Sequence, residues 1–227
     1  MTRPPGKPYG SPSALRAGVV ARANTAAKAN QRFTVQQLLR QFAYARLLAR
    51  VFTLEPESWV LKGGVSLLAR LPGARHSLDI DLWGRQQSLA EAEQALELAS
   101  AVDLGDFASF DIGAWSERRD EEARPLAQAT VHCSIGVRKF VSFGVDLVGG
   151  PFPALEPEPA PPLRPLDIPG LRDAPLGGRS AAPRGWGQRL EALAIEAEPD
   201  LSPCAGAVPD ARPTPVPRSP TDARTRR

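Results

Sequence analysis

The segment Trp59–Trp83, which reads WVLKGGVSLLARLPGARHSLDIDLW, decides the expected fold. A short apolar run at its start predicts a strand, which ends before the pair Gly63 and Gly64. Residues 65–71 then predict a helix that stops at the following Pro-Gly pair. Residues 76–83 alternate with a period of two, as is typical of a half-buried strand. The segment therefore predicts a strand–helix–strand unit with an acidic second strand.

Helix and strand patterns continue on both sides of this segment. Upstream, Thr34 and Gln37 have the spacing of a capping box, and the apolar residues behind them recur at helical spacing. Downstream, Ser88 and Glu91 open an amphipathic helix in the same way. A further Ala-rich helix is expected at 14–30, and strand-like runs at 107–115, 130–137 and 139–149. This order predicts an α/β (α+β) fold, a mixed sheet flanked by helices.

The C-terminal third differs from the rest of the chain in composition. Of the 24 prolines among 227 residues, seventeen fall in residues 151–227, which hold only thirteen Leu, Ile, Val or Phe. Such a segment buries too little apolar surface to offset the entropy of ordering. We expect a disordered leader at 1–13, a folded domain at 14–150, and at 151–227 a Pro-rich linker and mostly disordered tail, with one short helix at 184–200.

Composition excludes several classes of protein. No run of 18 apolar residues exists, and the basic, Pro-rich start lacks the apolar core of a signal peptide. Two cysteines, Cys133 and Cys204, and two histidines, His76 and His132, are too few for a disulfide framework or a zinc site. No membrane contact and a cytoplasmic location are expected. The net charge of +3 lies within residues 1–150 and is compatible with a nucleic-acid partner without establishing one.

The chemistry-bearing residues are carboxylates on the predicted strands. Asp79 and Asp81 project from one face of their strand, about 7 Å apart, so they repel each other unless a cation neutralises them. Paired hard oxygen ligands favour Mg²⁺. Asp146 faces away from the apolar side of a later strand, and a third carboxylate is what a two-metal phosphoryl-transfer site needs. Arg75 and Ser77 flank the acidic strand, where they could meet a phosphate or hold the carboxylates.

The glycine pair supplies the second half of this candidate site. Without Cβ atoms, Gly63 and Gly64 let backbone amides approach a triphosphate at the start of the following helix. Ser66 could add a hydroxyl and Lys62 a positive charge, although the spacing is not that of a P-loop. Taken singly, a Gly-Gly pair is most often a tight turn and a D-x-D motif two solvated carboxylates. Their combination in this order favours a nucleotide site.

At these positions the sequence resembles the AbiEii/AbiGii-type nucleotidyltransferase toxins of bacterial abortive-infection and toxin–antitoxin systems. The family pattern is Lys-Gly-Gly, a small hydroxyl residue and Leu, then Arg-x-Ser-x-Asp-Ile-Asp-Leu. This sequence matches it at Lys62, Gly63, Gly64, Ser66, Leu67, Arg75, Ser77, Asp79, Ile80, Asp81 and Leu82. With the strand that contains Asp146, the resemblance covers roughly residues 33–150.

The resemblance implies a polymerase β-like nucleotidyltransferase fold and Mg²⁺-dependent transfer of a nucleoside monophosphate from an NTP, with pyrophosphate as the leaving group. It implies that Asp79 and Asp81 ligate two metal ions, and that Asp146 is a further ligand or the activator of the acceptor hydroxyl. The triphosphate would be held by Gly63, Gly64 and Ser66. Acceptors in such toxins include tRNA 3′ ends, and a separate cognate antitoxin usually accompanies them.

The sequence departs from this family downstream. Members continue into a helical half with a Lys-containing helix and an Arg/Lys-Asp motif, but this sequence has no lysine after Lys139 and no such pattern after residue 171. We hypothesise a frameshift or truncation near residue 171. Two alternatives to an active transferase stay open. One is a catalytically impaired, truncated member that binds NTP or a protein partner without turnover, and the other is a nucleic-acid-binding α/β protein.

Overall fold

The computed structural model describes residues 9–71, 74–86, 88–119, 125–150, 158–171 and 176–180. Their helices are α1 (Pro12–Asn30), α2 (Val35–Leu54), α3 (Gly63–Arg70) and α4 (Leu89–Ser100). Their strands are β1 (Trp59–Lys62), β2 (Asp79–Gly84), β3 (Ala108–Ile112), β4 (Ser116–Arg119), β5 (Pro125–Ile135), β6 (Arg138–Gly149), β7 (Glu158–Ala160) and β8 (Leu176–Ser180).

Two helix starts confirm the capping residues predicted from the sequence. At α2, Thr34 Oγ1 accepts a hydrogen bond from the Gln37 amide, and the Gln37 side-chain oxygen accepts one from the Thr34 amide. At α4, Ser88 Oγ accepts a hydrogen bond from the Glu91 amide. Because the first amides of a helix have no partner within it, these side chains define where α2 and α4 begin.

The main sheet is mixed and has the strand order β1-β2-β6-β5-β3, with β4 also paired to β5. Strands β2 and β6 run parallel, whereas β1–β2, β5–β6, β3–β5 and β4–β5 are antiparallel. Strands β3 and β4 pair with different stretches of β5, one after the other. The predicted mixed α/β architecture is therefore confirmed, and β2 and β6 lie at its centre.

One face of this sheet is apolar and forms the core with α2 and α4. Ile80, Leu82, Val145 and Leu147 alternate along the two central strands, and all four are fully buried. Helix α1 adds a second cluster, in which its apolar side chains meet those of the first turns of α2. In the described part of the chain, no helix is both long and apolar enough to cross a membrane. The opposite face of the central strands has a small apolar cluster of Val60, Trp83 and Val148 at one end, and its polar remainder is left for chemistry.

A buried ion cluster joins α2 to the segment before β3. Asp106 accepts hydrogen bonds from Arg46 Nε at 2.6 Å and from Arg50 Nη2 at 2.7 Å. Arg50 Nη2 also donates to the Ala108 carbonyl, and its guanidinium lies 4.9 Å from the Phe110 ring centroid. Burial raises the pKa of Asp106, but the hydrogen bond and charge of Arg50, with those of Arg46, outweigh it and lower the pKa. The cluster therefore depends on an ionised Asp106.

Part of the segment after residue 150 belongs to the fold. Strands β7 and β8 pair in an antiparallel two-stranded sheet, and Ala160, Leu163 and Ile168 are buried against the two core clusters. The folded domain predicted from the sequence ends at residue 150, because Pro-rich composition hides a few apolar residues that are spaced to reach the core. The short helix predicted at 184–200 and most of the predicted leader lie outside the described residues.

Candidate active site

Three carboxylates share the polar face of the two central strands. Along β2, Asp79 and Asp81 are half-buried, whereas Ile80 between them points into the core. The parallel register of β2 and β6 places Asp146 opposite Asp81. Because directly paired residues of neighbouring strands project to the same side, Asp81 and Asp146 are close neighbours on this face. The structure thus brings together the three acidic residues that the sequence analysis predicts.

Gly144 makes room for the first of these carboxylates. It pairs with Asp79 across β2 and β6, and a Cβ added at Gly144 would overlap the Asp79 carboxylate. The Asp79 side chain therefore leans over β6, the strand that carries Asp146. A larger residue at this position would turn Asp79 away from the acidic face.

The electrostatics of Asp81 reflect its crowded position. Burial raises the pKa of Asp81, the charge of Asp146 raises it further, and the charge of Asp79 adds to this. Lys62, which pairs with Asp81 across β1 and β2, opposes the shift. The Lys62 ammonium lies 5.0 Å from the centroid of the Trp83 ring. The net effect is a raised pKa, so one nearby ammonium does not balance the three carboxylates.

Gln128 on β5 holds the third carboxylate. Its Nε2 donates a hydrogen bond of 2.8 Å to Asp146 Oδ1, and the β5–β6 register pairs the same two residues. Gln128 is not among the site residues predicted from the sequence. Its alternation with the buried Ala127 and Ala129 indicates a polar-facing position, but the strand register that joins it to Asp146 is not readable from the sequence.

The first turn of α3 lies directly against the acidic strand. Gly63 has a φ of +60°, and a Cβ added there would overlap the Asp81 carboxylate. A Cβ added at Gly64 would lie 2.7 Å from Ser77 Oγ. The two glycines therefore let the positive N-terminal end of the helix approach the carboxylates closely. Ser66, by contrast, is 3% exposed, so protein encloses the hydroxyl that was predicted to meet a triphosphate.

A tyrosine from α2 holds the backbone just before the acidic strand. The buried Tyr44 hydroxyl donates to the Leu78 carbonyl at 2.6 Å and also lies 3.2 Å from the Ser77 carbonyl. Burial raises the pKa of Tyr44, so the hydroxyl stays protonated and able to donate. Its ring packs edge-on against Phe143 of β6, with the centroids 4.8 Å apart. Tyr44 therefore connects the backbone just before Asp79 to both α2 and β6. This residue is not among those predicted from the sequence.

The same loop carries His76 and Arg75. The imidazole of His76 lies parallel to the Tyr44 ring, with Nδ1 3.3 Å from Gln41 Nε2 and Nε2 3.5 Å from Arg40 Nη1. Burial lowers the pKa of His76, and the Arg40 charge lowers it further, so the ring is neutral at neutral pH. Arg75 is exposed at the start of this loop. It is therefore available to an anionic ligand, whereas His76 is held by α2.

A groove of about 400 Å³ opens beside Asp79 on the far side from α3. It runs over the polar face of β5 and β4, so its lining is polar. The lining residues that carry polar side chains are Asp79, Ser116, Arg118, Gln128 and Thr130. Neither β4 nor Arg118 stands out in the sequence, because the surrounding charged residues have the composition of a solvated turn. The groove gives a second ligand access to the carboxylates.

The donor set fits Mg²⁺ in its chemistry. Three carboxylates on one face supply hard oxygen ligands, and burial together with the charges of Asp146 and Asp79 raises the pKa of Asp81, a cost that a bound cation would offset. As the side chains are placed, no group of three or more Asp, Glu, His or Cys among the described residues is arranged to hold a metal ion. Asp146 instead accepts the hydrogen bond from Gln128. Metal coordination by Asp79, Asp81 and Asp146 stays a prediction.

Comparison with known proteins assigns the chain to a family. The model of the nucleotidyl transferase AbiEii toxin of type IV toxin–antitoxin systems matches residues 46–173. This range is more than half of the chain and contains all three carboxylates. The chain belongs to the AbiEii toxin family. The family resemblance seen in Trp59–Trp83 is thereby confirmed.

Two solved structures are similar to this AbiEii family member. They are JHP933 from Helicobacter pylori and a protein described as a nucleotidyltransferase from H. pylori. Each is 14% identical, with a TM-score of 0.35 over 65% of this chain and 53% or 54% of the other. The chain thus spans about half the length of these structures, and the family match alone carries the assignment. No curated protein matches the chain.

Proposed function

We propose that this AbiEii family member is a Mg²⁺-dependent nucleotidyltransferase that transfers a nucleoside monophosphate from an NTP to an acceptor RNA such as tRNA. It would act as a toxin in the cytoplasm and be restrained by a cognate antitoxin. One observation carries the proposal. Asp79, Asp81 and Asp146 share one face of two adjacent parallel strands, and the N-terminus of α3 abuts Asp81.

The triphosphate belongs on the α3 side of the carboxylates. The backbone amides of Gly63 and Gly64 form the positive end of α3, and Lys62 adds an ammonium beside Asp81. Arg75 is exposed on the loop that leads into β2 and can reach an anionic ligand from the other direction. These groups neutralise phosphate charge, which the acidic strand alone would repel. In this assignment the buried Ser66 does not contact the triphosphate.

The acceptor belongs on the opposite side, in the groove over β5 and β4. The residues Lys62, Asp81, Asp146, Gln128 and Ser116 form one cross-strand row over five strands. With neighbouring strands about 4.8 Å apart, this row is about 19 Å long. It can accommodate a nucleoside triphosphate at one end and an acceptor nucleotide at the other. Such a placement lets the attacking and leaving oxygens lie in line across the phosphorus.

In the proposed reaction, the acceptor hydroxyl oxygen forms a bond to the α-phosphorus, and the bond from that phosphorus to the pyrophosphate oxygen breaks. Asp146 takes the hydroxyl proton, and Gln128 fixes its carboxylate through the 2.8 Å hydrogen bond. Asp79 and Asp81 would hold Mg²⁺, which when bound polarises the phosphate and neutralises developing charge. Tyr44 fixes the backbone before Asp79, so these carboxylates keep their spacing.

A second candidate function is binding of NTP or a protein partner without turnover. One observation favours it: the sequence has no lysine after Lys139, whereas the family resemblance includes a Lys-containing helix in its second half. A site that kept its carboxylates but lacked this cation would bind Mg·NTP and would neutralise the transition state poorly.

Incorporation of labelled nucleotides separates the two candidates. The purified chain is incubated with Mg²⁺, each of the four NTPs in turn and a tRNA pool, and labelled RNA is resolved on a gel. The matched variants are Asp79→Asn and Asp111→Asn, of which the second removes an exposed carboxylate from β3 on the same sheet. We expect transfer by the wild type and by Asp111→Asn, and a loss of at least about 10–100-fold in Asp79→Asn.

The other outcomes each have one meaning. Absence of transfer together with calorimetric binding of Mg·NTP supports the second candidate. Transfer that persists undiminished in Asp79→Asn refutes the assignment of the site. Absence of both transfer and Mg·NTP binding refutes the transferase and the NTP-binding function, and leaves binding of a protein partner as the remaining form of the second candidate.

A further inference from the structure

A threonine on β5 lies in the same cross-strand row as the first carboxylate of the candidate site. Strand pairing places Asp79, Gly144 and Thr130 side by side on β2, β6 and β5. Thr130 is exposed and its neighbours Ala129 and Val131 are buried, so its side chain projects from the polar face that carries the three carboxylates. This face therefore presents a carboxylate and a hydroxyl with no side chain between them.

The glycine between them brings these two groups closer together. A Cβ added at Gly144 would overlap the Asp79 carboxylate, so this carboxylate already lies over β6, the strand next to Thr130. The Cβ positions of directly paired residues are about 4.5–5.5 Å apart, which places the Asp79 carboxylate about 5 Å from Thr130 Cβ. Both residues line the groove beside Asp79. A phosphorus atom held at Asp79 is thus close enough for Thr130 Oγ1 to reach a near-attack contact of about 3–3.5 Å.

The Thr130 hydroxyl is open to a ligand. Over the described ranges of the chain, no hydrogen bond to another protein group engages it. The next hydroxyl along this face differs, because Ser142 Oγ lies 2.8 Å from His132 Nδ1. Ser116, which also lines the groove, is on β4 and so lies one strand farther from Asp79. Of these hydroxyl groups, that of Thr130 is therefore the best placed to react at Asp79.

Thr130 also lies on the side from which an acceptor oxygen must attack. In the proposed function the triphosphate occupies the α3 side of the carboxylates, next to β1 and β2. Phosphoryl transfer requires the attacking and leaving oxygens to be roughly in line. Thr130 is on β5, which β6 separates from β2, so it faces the α-phosphorus from the side opposite to the pyrophosphate. The Ser77 hydroxyl, by contrast, lies close to Gly64 on the triphosphate side.

The groove beside Asp79 can hold a nucleotide that is attached to Thr130. Its volume of about 400 Å³ falls within the range of small-molecule sites, which is about 300–1,000 Å³. Among the described residues that line it, Arg118 is the only cation, and a guanidinium pairs well with the phosphodiester that the transfer creates. Arg118 therefore compensates the negative charge added beside Asp79. A nucleotide on Thr130 would occupy the space that the proposed function gives to the acceptor.

We propose that Thr130 is a site of self-nucleotidylylation, at which the chain attaches a nucleoside monophosphate to its own groove and closes it to other acceptors. Thr130 Oγ1 forms a bond to the α-phosphorus of an NTP, and the bond from that phosphorus to the pyrophosphate oxygen breaks. The hydroxyl proton passes to Asp146, the diagonal neighbour of Thr130 on β6. The inference rests on the proposed function, which supplies the NTP and the reaction, and adds a limit that the chain sets on its own activity.

The test is labelling of the chain itself in the absence of RNA. The full chain is incubated with Mg²⁺ and each NTP in turn, and its intact mass is measured together with the pyrophosphate released. We expect the chain to gain one nucleoside monophosphate and to release one pyrophosphate. Trypsin cleaves after Arg119 and Arg138 but not before Pro125, so peptide 120–138 contains Thr130 and excludes Ser142. Fragmentation of this peptide then locates the nucleotide.

Thr130→Val removes the hydroxyl and keeps the branched shape, so its labelling should fall to the background level of Asp79→Asn. Thr130→Ser keeps a hydroxyl and should still be labelled, as should Ser142→Ala, which removes another exposed hydroxyl from the same face. If Thr130→Val fails to fold by circular dichroism, Thr130→Ala replaces it. Attachment within one molecule also predicts that a tagged Asp79→Asn chain stays unlabelled when it is mixed with the wild type. Undiminished labelling of Thr130→Val, or labelling of the tagged chain, overturns the proposal.

Preincubation with NTP connects the modification to activity and separates this inference from the proposed function. Wild type that is treated with NTP before tRNA is added should transfer to RNA more slowly than untreated wild type, whereas Thr130→Val should show one rate with and without this treatment. Transfer to RNA without any self-labelling would remove the inference and leave the proposed function standing. Self-labelling at Thr130 without transfer to RNA would support the inference and remove only RNA as the acceptor. Absence of both would refute the transferase function, and the inference with it.

Discussion

Gly144→Ala perturbs the acidic site without changing any carboxylate. Gly144 pairs with Asp79, and the three atoms nearest to an added Cβ all belong to the Asp79 side chain. The φ angle at Gly144 lies outside the left-handed region, so the backbone suits alanine. The added methyl group must therefore displace the Asp79 carboxylate and has little other effect.

The expected magnitudes separate function from stability. Alanine lowers the entropy of the unfolded chain, which stabilises the fold by about 0.4–1 kcal/mol. Turning Asp79 off its rotamer costs about 0.5–1.5 kcal/mol. The free energy of unfolding should thus change by less than about 1 kcal/mol, whereas a misplaced metal ligand lowers transfer and Mg²⁺ affinity by roughly 10–100-fold.

The assay compares nucleotide transfer at increasing Mg²⁺ concentration with urea unfolding of the same preparations. Gly113→Ala is the control, because a Cβ there would lie 3.3 Å from the Thr130 carbonyl oxygen on the same sheet. The reasoning is wrong if Gly144→Ala transfers at the wild-type rate with the same Mg²⁺ requirement. It is also wrong if Gly113→Ala loses as much activity.

Three further variants test the electrostatics and positioning of the site. The pKa of Asp81 is raised above its unfolded value of 3.8, so the wild type loses stability as the pH rises through the raised pKa. Calorimetry should therefore find that Asp81→Asn is more stable than the wild type at pH 7 and that its stability depends less on pH. The pKa of Asp106 is lowered, so its contribution to stability is present above pH 3.8 and is lost as the pH falls through the pKa of the folded state. In urea unfolding at pH 7, Asp106→Asn should lower the free energy of unfolding by about 3–5 kcal/mol. Stability equal to that of the wild type would contradict the ion cluster. Tyr44→Phe removes the hydrogen bond to the Leu78 carbonyl, so kcat should fall several-fold while the KM for NTP stays unchanged. The free energy of unfolding should fall by about 1 kcal/mol. A parallel rise in KM would mean that Tyr44 acts on substrate binding instead.

Local patterns are sufficient to predict the parts of the site that lie within one segment. The alternation around Asp79 and Asp81 places both carboxylates on one polar face, and Gly63 and Gly64 mark the start of α3. Both features depend on the chain conformation over fewer than ten residues, which side-chain periodicity and glycine geometry determine.

Features that depend on long-range pairing could not be predicted in the same way. Gln128 acquires its role only through the register of β5 on β6, and Arg118 through the pairing of β4 with β5. Tyr44 lies on the buried side of α2 like its apolar neighbours, and nothing in the sequence shows that its hydroxyl reaches the Leu78 carbonyl. The core contribution of Leu163 is hidden by its Pro-rich surroundings.

The parallel pairing of β2 with β6 also has a consequence for the synthesis of the protein. Asp81 and Asp146 meet only after the chain has closed a loop of 65 residues, and three strands and a helix lie within that loop. Pairings of such sequence separation form late and slowly. A growing chain in which β6 has not yet been synthesised therefore has Asp79 and Asp81 but not the complete group of three carboxylates. If the chain has the proposed transferase activity, that activity becomes available only in molecules whose two central strands are fully paired.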